Sequence, residues 1–208
     1  MPARLDPATA SDHDLVDEAS FDLVGFAGLD LSGRSADAVR VERCGFDRVT
    51  LAGAMLERAA FADCVVEHCD WANLRVTKSS LSRVEVSLSR LTGLHWVDGA
   101  LRDVTFRECR MDLATFRFTG FTRVAFVDCN LTRADFTNAD LRGAAFTGCD
   151  LTAAQFAQVK ADGARFTRCE LAGAGSVASL RGAVISAADL AALSYTLAAA
   201  LGITIDPS

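Results

Sequence analysis

Apolar residues recur at every fifth position along most of this chain. From Phe21 to Leu171, all 31 positions spaced by five residues are apolar. An α-helix repeats every 3.6 residues and a coiled coil every 3.5, so neither structure accounts for this spacing. A period of five instead predicts a chain that turns a corner after each short extended segment.

A second series lies two residues before the first and consists almost wholly of small or thin side chains, such as Ala54, Cys64 and Ala134. In an extended segment, residues two apart point to the same side, so both series face one interior. The two remaining residues of each five can form the corner. One such segment cannot bury its own apolar side chain, so successive coils must stack. The pattern therefore predicts an all-β solenoid.

The cysteines indicate how many sides each coil has. All seven occupy the small inward position, and the last four are spaced by twenty residues, which equals four segments of five. A coil with four sides would place those four in one column. Because the side chains of stacked coils run parallel, we expect buried free thiols rather than disulfides, redox centres or metal ligands. The cysteines are Cys44, Cys64, Cys69, Cys109, Cys129, Cys149 and Cys169.

Three segments show the repeat in its clearest form: Ala134-Asp-Phe-Thr-Asn138, Ala139-Asp-Leu-Arg-Gly143 and Cys149-Asp-Leu-Thr-Ala153. They match the motif A(D/N)LXX, so the chain resembles the pentapeptide-repeat proteins. The resemblance implies a right-handed quadrilateral β-helix with Leu or Phe at the centre of each face. We expect an N-terminal cap over residues 1–20, the β-helix over 21–185, and a C-terminal helix and strand over 186–208.

The N-terminal segment contains Ser11 with Asp14 three residues later, a spacing that predicts a short helix closing the first coil. Arg34 is the charged residue of the inward series. We expect it to bend outward or to pair with Asp12, Asp14 or Asp17.

The C-terminal segment predicts a helix that begins after Ser186, runs through Leu201 and stops at Gly202. Leucines line one face and alanines much of the other, so little polar surface is left. A helix this apolar is buried on more than one side. One side would cover the end of the rod and the other would meet a second copy. The predicted homodimer interface comprises Leu190, Leu193, Leu197, Leu201, Ile203 and Ile205.

This tail, from Ile185-Ser-Ala-Ala-Asp to Leu201-Gly-Ile-Thr-Ile205, resembles the dimerisation module of the Qnr and MfpA type of fluoroquinolone-resistance proteins. The resemblance implies an end-to-end homodimer that binds bacterial DNA gyrase and topoisomerase IV. It also implies that the rod mimics a DNA segment and protects these enzymes from their poisons.

Charge favours one side of the rod for such contacts. The net charge is −6, but residues 19–173 hold 20 acids against 19 Lys and Arg, so the body is almost neutral. Mimicry therefore depends on pattern, and the most acidic strip follows the central residues from Phe46 to Phe126. The alternative is that these acids are ordinary solvated residues on a generic interaction scaffold. The predicted partner-binding residues are Asp47, Glu67, Glu85, Glu108 and Asp128.

Other function classes find no support. No apolar stretch is long enough to span a bilayer, and residues 1–20 lack the pattern of a signal peptide, so we expect a cytoplasmic protein. His13, His68 and His95 are far apart and belong to no nucleophile or metal motif, so we expect no enzyme, cofactor or metal site. A near-neutral body without a basic stripe argues against direct nucleic-acid binding.

The middle of the rod is overfilled. Trp71 and Trp96 occupy central positions, and Leu74 and Leu94 occupy positions that elsewhere hold small residues. A locally widened coil, a rotated Trp and a binding pocket are the possible outcomes, and the first two are favoured.

Overall fold

The computed structural model describes residues 5–9 and 13–204. The chain is a β-solenoid of about nine turns followed by a short helix. One coil takes twenty residues, since residues aligned in neighbouring parallel strands, such as Phe106 and Phe126, are twenty apart. The quadrilateral β-helix expected from the twenty-residue spacing of the cysteines and from the family resemblance is confirmed.

The extended segments are mostly three residues long, as expected when a corner follows each one. A 3₁₀ turn (Val177–Leu180) precedes the last strand, and helix α1 (Ala187–Ala200) follows it. The strands are β1 (Asp6–Pro7), β2 (Ser20–Asp22), β3 (Val24–Ala27), β4 (Ser35–Asp37), β5 (Arg40–Glu42), β6 (Gly45–Asp47), β7 (Met55–Glu57), β8 (Ala60–Ala62), β9 (Val65–Glu67), β10 (Arg75–Thr77), β11 (Ser80–Ser87), β12 (His95–Val97), β13 (Ala100–Arg107), β14 (Gly120–Val127), β15 (Ala144–Thr147), β16 (Arg165–Thr167) and β17 (Val184–Ile185).

The rod has four faces, numbered here in the order in which the chain first reaches them. The first face begins at Phe21, the second at Phe26, the third at Leu31 and the fourth at Ala36, and each continues every twenty residues. The first and second faces form one 13-stranded parallel sheet, because β11, β13 and β14 run through the corner between them. The fourth face carries a four-stranded sheet of β4, β7, β10 and β12. Isolated bridges, such as that between Asp70 and Arg90, align the third face.

Most corners contain a residue in the left-handed region, two positions after the central residue. Arg83 has φ 54°, and even the bulky Leu113 and Phe118 have φ 61° and 56°. This conformation lets the backbone turn from one face to the next within two residues. The corner side chains therefore project outward and form columns along the edges of the rod.

The interior is built from stacked rings. All 31 central positions from Phe21 to Leu171 are buried, as the pattern predicted. On the second face, ring centroids are 5.0 Å apart between Phe106 and Phe126 and 4.9 Å between Phe126 and Phe146, with planes within 8° and 3° of parallel. The stack continues to Phe166 at 4.9 Å. Each ring packs on the rings of the neighbouring coils, so the core is a continuous column in which each coil contacts only the coils next to it.

The cysteines are small buried side chains of this core. All seven thiols are free and buried. The thiol of Cys149 lies 3.4 Å from the carbonyl oxygen of Phe126, and that of Cys169 lies 3.5 Å from that of Phe146. Burial raises the pKa of Cys64 and Cys69 to about 11. Only a small fraction of either thiol is ionised at neutral pH, so both are poor nucleophiles.

The overfilled middle of the rod is accommodated by a missing side chain. Trp71 and Trp96 are each 1% exposed, and neither indole N–H has a hydrogen-bond partner. Gly99 occupies an inward position that other coils of the same column fill with Ala, Val, Ser or Thr. A Cβ atom on Gly99 would lie 2.4 Å from Nε1 of Trp96 and 2.7 Å from the carbonyl oxygen of Ser79. The glycine therefore leaves the space into which the Trp96 indole extends.

Among the described residues, the N-terminal end is closed by a strand and no helix is present there. Residues 13–19 are not helical, and Ser11 and Asp12 lie outside the described residues. Strand β1 instead pairs with β3, and Leu15 is buried against the first coil. Arg34 pairs with Asp14, with Nε 2.7 Å from Oδ1, which confirms one of its expected partners. A strand replaces the helix because it satisfies the backbone groups of the first coil directly.

The C-terminal helix forms as predicted. The backbone N–H of Asp189 donates a 3.4 Å hydrogen bond to the hydroxyl of Ser186, the N-cap residue. Gly202 has φ 72°, the left-handed conformation expected after a helix end. Strand β17 pairs with β16 at a spacing of 19 residues, so the register slips by one before the helix.

Candidate protein-interaction surface

The five predicted partner-binding acids all lie on the outside of the second face or at its corner, one on each of five successive coils. Asp47 and Glu67 are aligned in register, whereas Glu85 aligns with Val65 on the other side of the central column. Glu108 and Asp128 occupy the corner, with φ 51° and 52°. The acids thus form a band across the width of the face rather than a straight line.

The acids of this band differ in their charge partners. Asp47 contacts Arg48 at 2.5 Å and His68 at 3.1 Å, so its charge is largely matched locally. Glu67 accepts a 3.5 Å hydrogen bond from the hydroxyl of Ser87, an uncharged group. Within the described residues, Glu85, Glu108 and Asp128 form no ion pair. These three residues and Glu67 are called the acidic band below, and Asp47 is not counted in it.

Elsewhere on the rod, acids are commonly neutralised by the next coil. At the corner between the first and second faces, Arg83 donates two hydrogen bonds to Asp63, at 2.5 and 2.7 Å. Arg123 contacts Asp103 in the same way, at 2.5 and 2.7 Å. Hydrogen bonding by Arg83 lowers the pKa of Asp63. These pairs are solvent-exposed and contribute little to stability, but they cancel local charge.

The second face changes sign along the rod. Beyond Asp128 its charged side chains are Arg165 and Arg168, both exposed and without an ion pair among the described residues. Arg107 adds one cation beside the acidic band. The negative potential is therefore confined to the coils between Asp47 and Asp128.

Exposed apolar side chains lie next to the acids, a feature that sequence reasoning missed. Val65 is 46% exposed and Leu88 is 51% exposed, both on the second face or its corner. Leu5, 36% exposed, precedes strand β1 and lies against Gly25 and Gly45 of the same face. The sequence signal that could have revealed these contact points is an apolar residue at a corner, such as Leu88, since most corners carry polar residues or glycine. The second face thus combines carboxylates with apolar contact points.

Comparison with known sequences agrees with this geometry. The family profile described as "Pentapeptide repeat region" matches residues 39–116 and 101–175. The chain belongs to the pentapeptide-repeat family. No curated protein matches its sequence.

Solved structures of other pentapeptide-repeat proteins are similar to this chain at low identity. Trypsin-treated QnrB1, a plasmid-mediated fluoroquinolone resistance protein, is 19% identical, with 90% of this chain and all of that chain covered and a TM-score of 0.41. HetL from the cyanobacterium Nostoc, involved in the regulation of heterocyst differentiation, is 18% identical, with 84% and 88% covered and a TM-score of 0.32.

The C-terminal helix of this pentapeptide-repeat protein divides the predicted dimer residues into two groups. Leu193 is 1% exposed and Leu197 is partly buried, so both pack against the end of the rod. Leu190, Leu201 and Ile203 are 52%, 75% and 56% exposed. Ile205 lies outside the described residues. Tyr195, which sequence reasoning missed, is 68% exposed, so an apolar surface remains beside the capping leucines.

The three histidines lie in separate parts of the described chain. No group of three or more His, Cys, Asp or Glu residues there is placed to hold a metal ion. His13 packs on Phe21, His68 contacts Asp47, and His95 is exposed on the fourth face. Among the described residues, no helix is long and apolar enough to cross a membrane.

Proposed function

We propose that this pentapeptide-repeat protein is a non-enzymatic binding protein that acts as a partial mimic of DNA on a bacterial type II topoisomerase, DNA gyrase. The observation that carries the proposal is the acidic band: four carboxylates on four successive coils of one face, none in an ion pair within the described chain. A surface that holds DNA is basic, and it pairs with carboxylates arranged along a rod. Binding would protect the enzyme from poisons that act on its DNA complex.

The spacing of the band limits how much DNA it can represent. Stacked coils rise by about 4.8 Å, so one carboxylate per coil gives one charge per about 4.8 Å. B-DNA carries one charge per about 1.7 Å. The band therefore has about a third of the charge density of DNA, over only four coils. We expect moderate affinity that falls as salt rises.

The assembly that we propose is a cytoplasmic homodimer joined through the C-terminal helix. Its support is the exposed apolar surface of Leu190, Tyr195, Leu201 and Ile203, which a second copy would cover. The tail also resembles the dimerisation module of Qnr and MfpA proteins. An end-to-end dimer would double the number of acidic bands on one elongated particle.

The test removes the four charges of the acidic band and compares the result with an equal loss of charge elsewhere. The band variant carries Glu67→Gln, Glu85→Gln, Glu108→Gln and Asp128→Asn. The control carries Glu42→Gln, Asp98→Asn, Asp162→Asn and Glu170→Gln, which are also exposed and outside ion pairs in the described chain. We expect the band variant to bind purified gyrase at least about tenfold more weakly, and to lose protection in a supercoiling assay with a quinolone.

The control variant should bind like the wild type, because it changes the net charge equally but leaves the second face intact. Wild-type protein that shows no salt-sensitive gyrase binding would refute the proposal. Equal weakening by both variants would attribute binding to net charge and not to the band.

The scaffold alternative also has an observation in its favour. Leu113 and Phe118 are 48% and 54% exposed at the two corners that flank the fourth face in one coil. Apolar side chains held outward on a rigid edge suit a protein partner that does not bind DNA. If Leu113→Ser with Phe118→Ser abolished gyrase binding while the band variant did not, the contact would lie on the fourth face and the mimic would be excluded.

A further inference from the structure

The second face contains an open apolar groove beside the acidic band. In the outward column before the central residues, the first two coils carry Gly25 and Gly45, and the third carries Val65. Without side chains at the two glycines, the outer surface is recessed below Val65. The groove is lined by Leu5, Gly25, Gly45, Val65, Asp47 and Glu67, among others.

Leu5 explains why glycine occupies this column. A Cβ atom on Gly45 would lie 2.8 Å from Cδ1 of Leu5, and one on Gly25 would lie 3.3 Å from its Cβ. Neither glycine has a positive φ, so the backbone does not require glycine there. The constraint comes from the side chain of Leu5, just before strand β1, which forms an apolar end to the groove.

Two carboxylates, Asp47 and Glu67, line the groove. Asp47 and Glu67 follow the groove in strands β6 and β9 and are aligned with each other. Glu85 aligns with Val65 in the next coil, just beyond the residues that line the groove. A second copy of this chain would bring like charges together, so self-association here is disfavoured. The charges suit a cationic partner instead.

We propose that this groove binds an apolar side chain that is flanked by Lys or Arg on the partner. The inference rests on the proposed function, since the partner is the same basic surface of gyrase. A single exposed charge pair guides association but contributes little to affinity, whereas an apolar side chain in a recess commonly contributes more. Val65, 46% exposed, is the anchor contact of the groove, and the acidic band orients the partner over it.

The experiment compares two serine substitutions in the same column. Val65→Ser removes the anchor, and Val184→Ser makes the same change at a valine that is 48% exposed in strand β17, at the far end of this face. Both variants keep the full length of the chain, and binding to purified gyrase is measured at several salt concentrations. We expect Val65→Ser to weaken binding about five- to tenfold, with an unchanged salt dependence, and Val184→Ser to have no effect.

The outcomes separate this inference from the proposed function. Salt-sensitive binding that is unchanged in Val65→Ser, or weakened equally in Val184→Ser, would overturn the groove and leave the acidic band standing. A change of sedimentation coefficient in Val65→Ser would assign the groove to a second copy and overturn the inference. Absence of gyrase binding by the wild type would remove the proposed function and the groove with it.

Discussion

The stacked phenylalanines of the second face predict a large loss of stability when one ring is removed. Phe126 is 0% exposed and lies between Phe106 and Phe146, at centroid distances of 5.0 and 4.9 Å. It also contacts Phe116 and Phe136 edge-on, at 6.0 and 6.5 Å. Replacing Phe126 by Ala therefore leaves a cavity bordered by rigid rings on four sides.

The expected cost is about 3 to 5 kcal/mol, the range for deletion of a buried phenylalanine. We expect the upper part of that range, because two offset stacks worth about 0.5 to 1.5 kcal/mol each are lost with the ring. Backbone hydrogen bonds to the coils on either side hold the strand in place, so the site cannot collapse to fill the space.

Phe118 provides a matched control, since the same atoms are deleted at an exposed corner. Its ring is 54% exposed and is covered on one face by Arg117, 5.8 Å from the ring centroid. Phe118→Ala should cost less than about 1 kcal/mol, the loss of one exposed cation–π contact and little burial. The free energy of unfolding is measured by urea titration with circular dichroism, and the m-values are compared to show that each protein unfolds as one unit. A loss below about 1 kcal/mol for Phe126→Ala, or equal losses for both variants, would refute the stacked column.

Two further predictions concern the middle and the end of the rod. Gly99→Ala should destabilise the protein by about 1 to 3 kcal/mol, because the new Cβ would lie 2.4 Å from the Trp96 indole. Gly120→Ala, where nothing lies within 4 Å of the new Cβ, should change stability little. Equal effects in thermal unfolding would show that the Trp96 side chain does not need the space beside Gly99. Leu190→Glu combined with Leu201→Glu should convert a dimer to a monomer in sedimentation experiments, whereas Leu113→Glu should not. A dimer that survives the double substitution would exclude the helix as its interface.

Local spacing explains why so much of the architecture follows from the sequence. A period of five places one central side chain in each extended segment, and a repeat of twenty closes each coil, so every residue from Phe21 to Leu171 can be assigned to a face without knowing any contact. The same arithmetic assigns Asp47 and Glu67 to the second face. The chemistry of capping assigns the helix start to Ser186.

The ends of the rod were harder to predict because the repeat stops there. Residues 13–19 do not form the expected helix, since strand β1 closes the first coil by pairing with β3. The helix after Ser186 was predicted correctly, but its division into the buried Leu193 and the exposed Leu190 depends on how the helix lies across the last coil. The domain boundaries and the dimer remain predictions.

The sequence by itself determined the solenoid, its four faces and the residues that each face displays, because a repeat fixes position through spacing alone. Only the tertiary structure decided which acids keep their charge: Arg83 reaches Asp63 on the neighbouring coil, while Glu85 has no ion pair in the described chain. It also revealed the groove, which exists because Leu5 lies against Gly25 and Gly45. Both features arise between side chains of different coils, and spacing along the chain does not specify how those side chains meet.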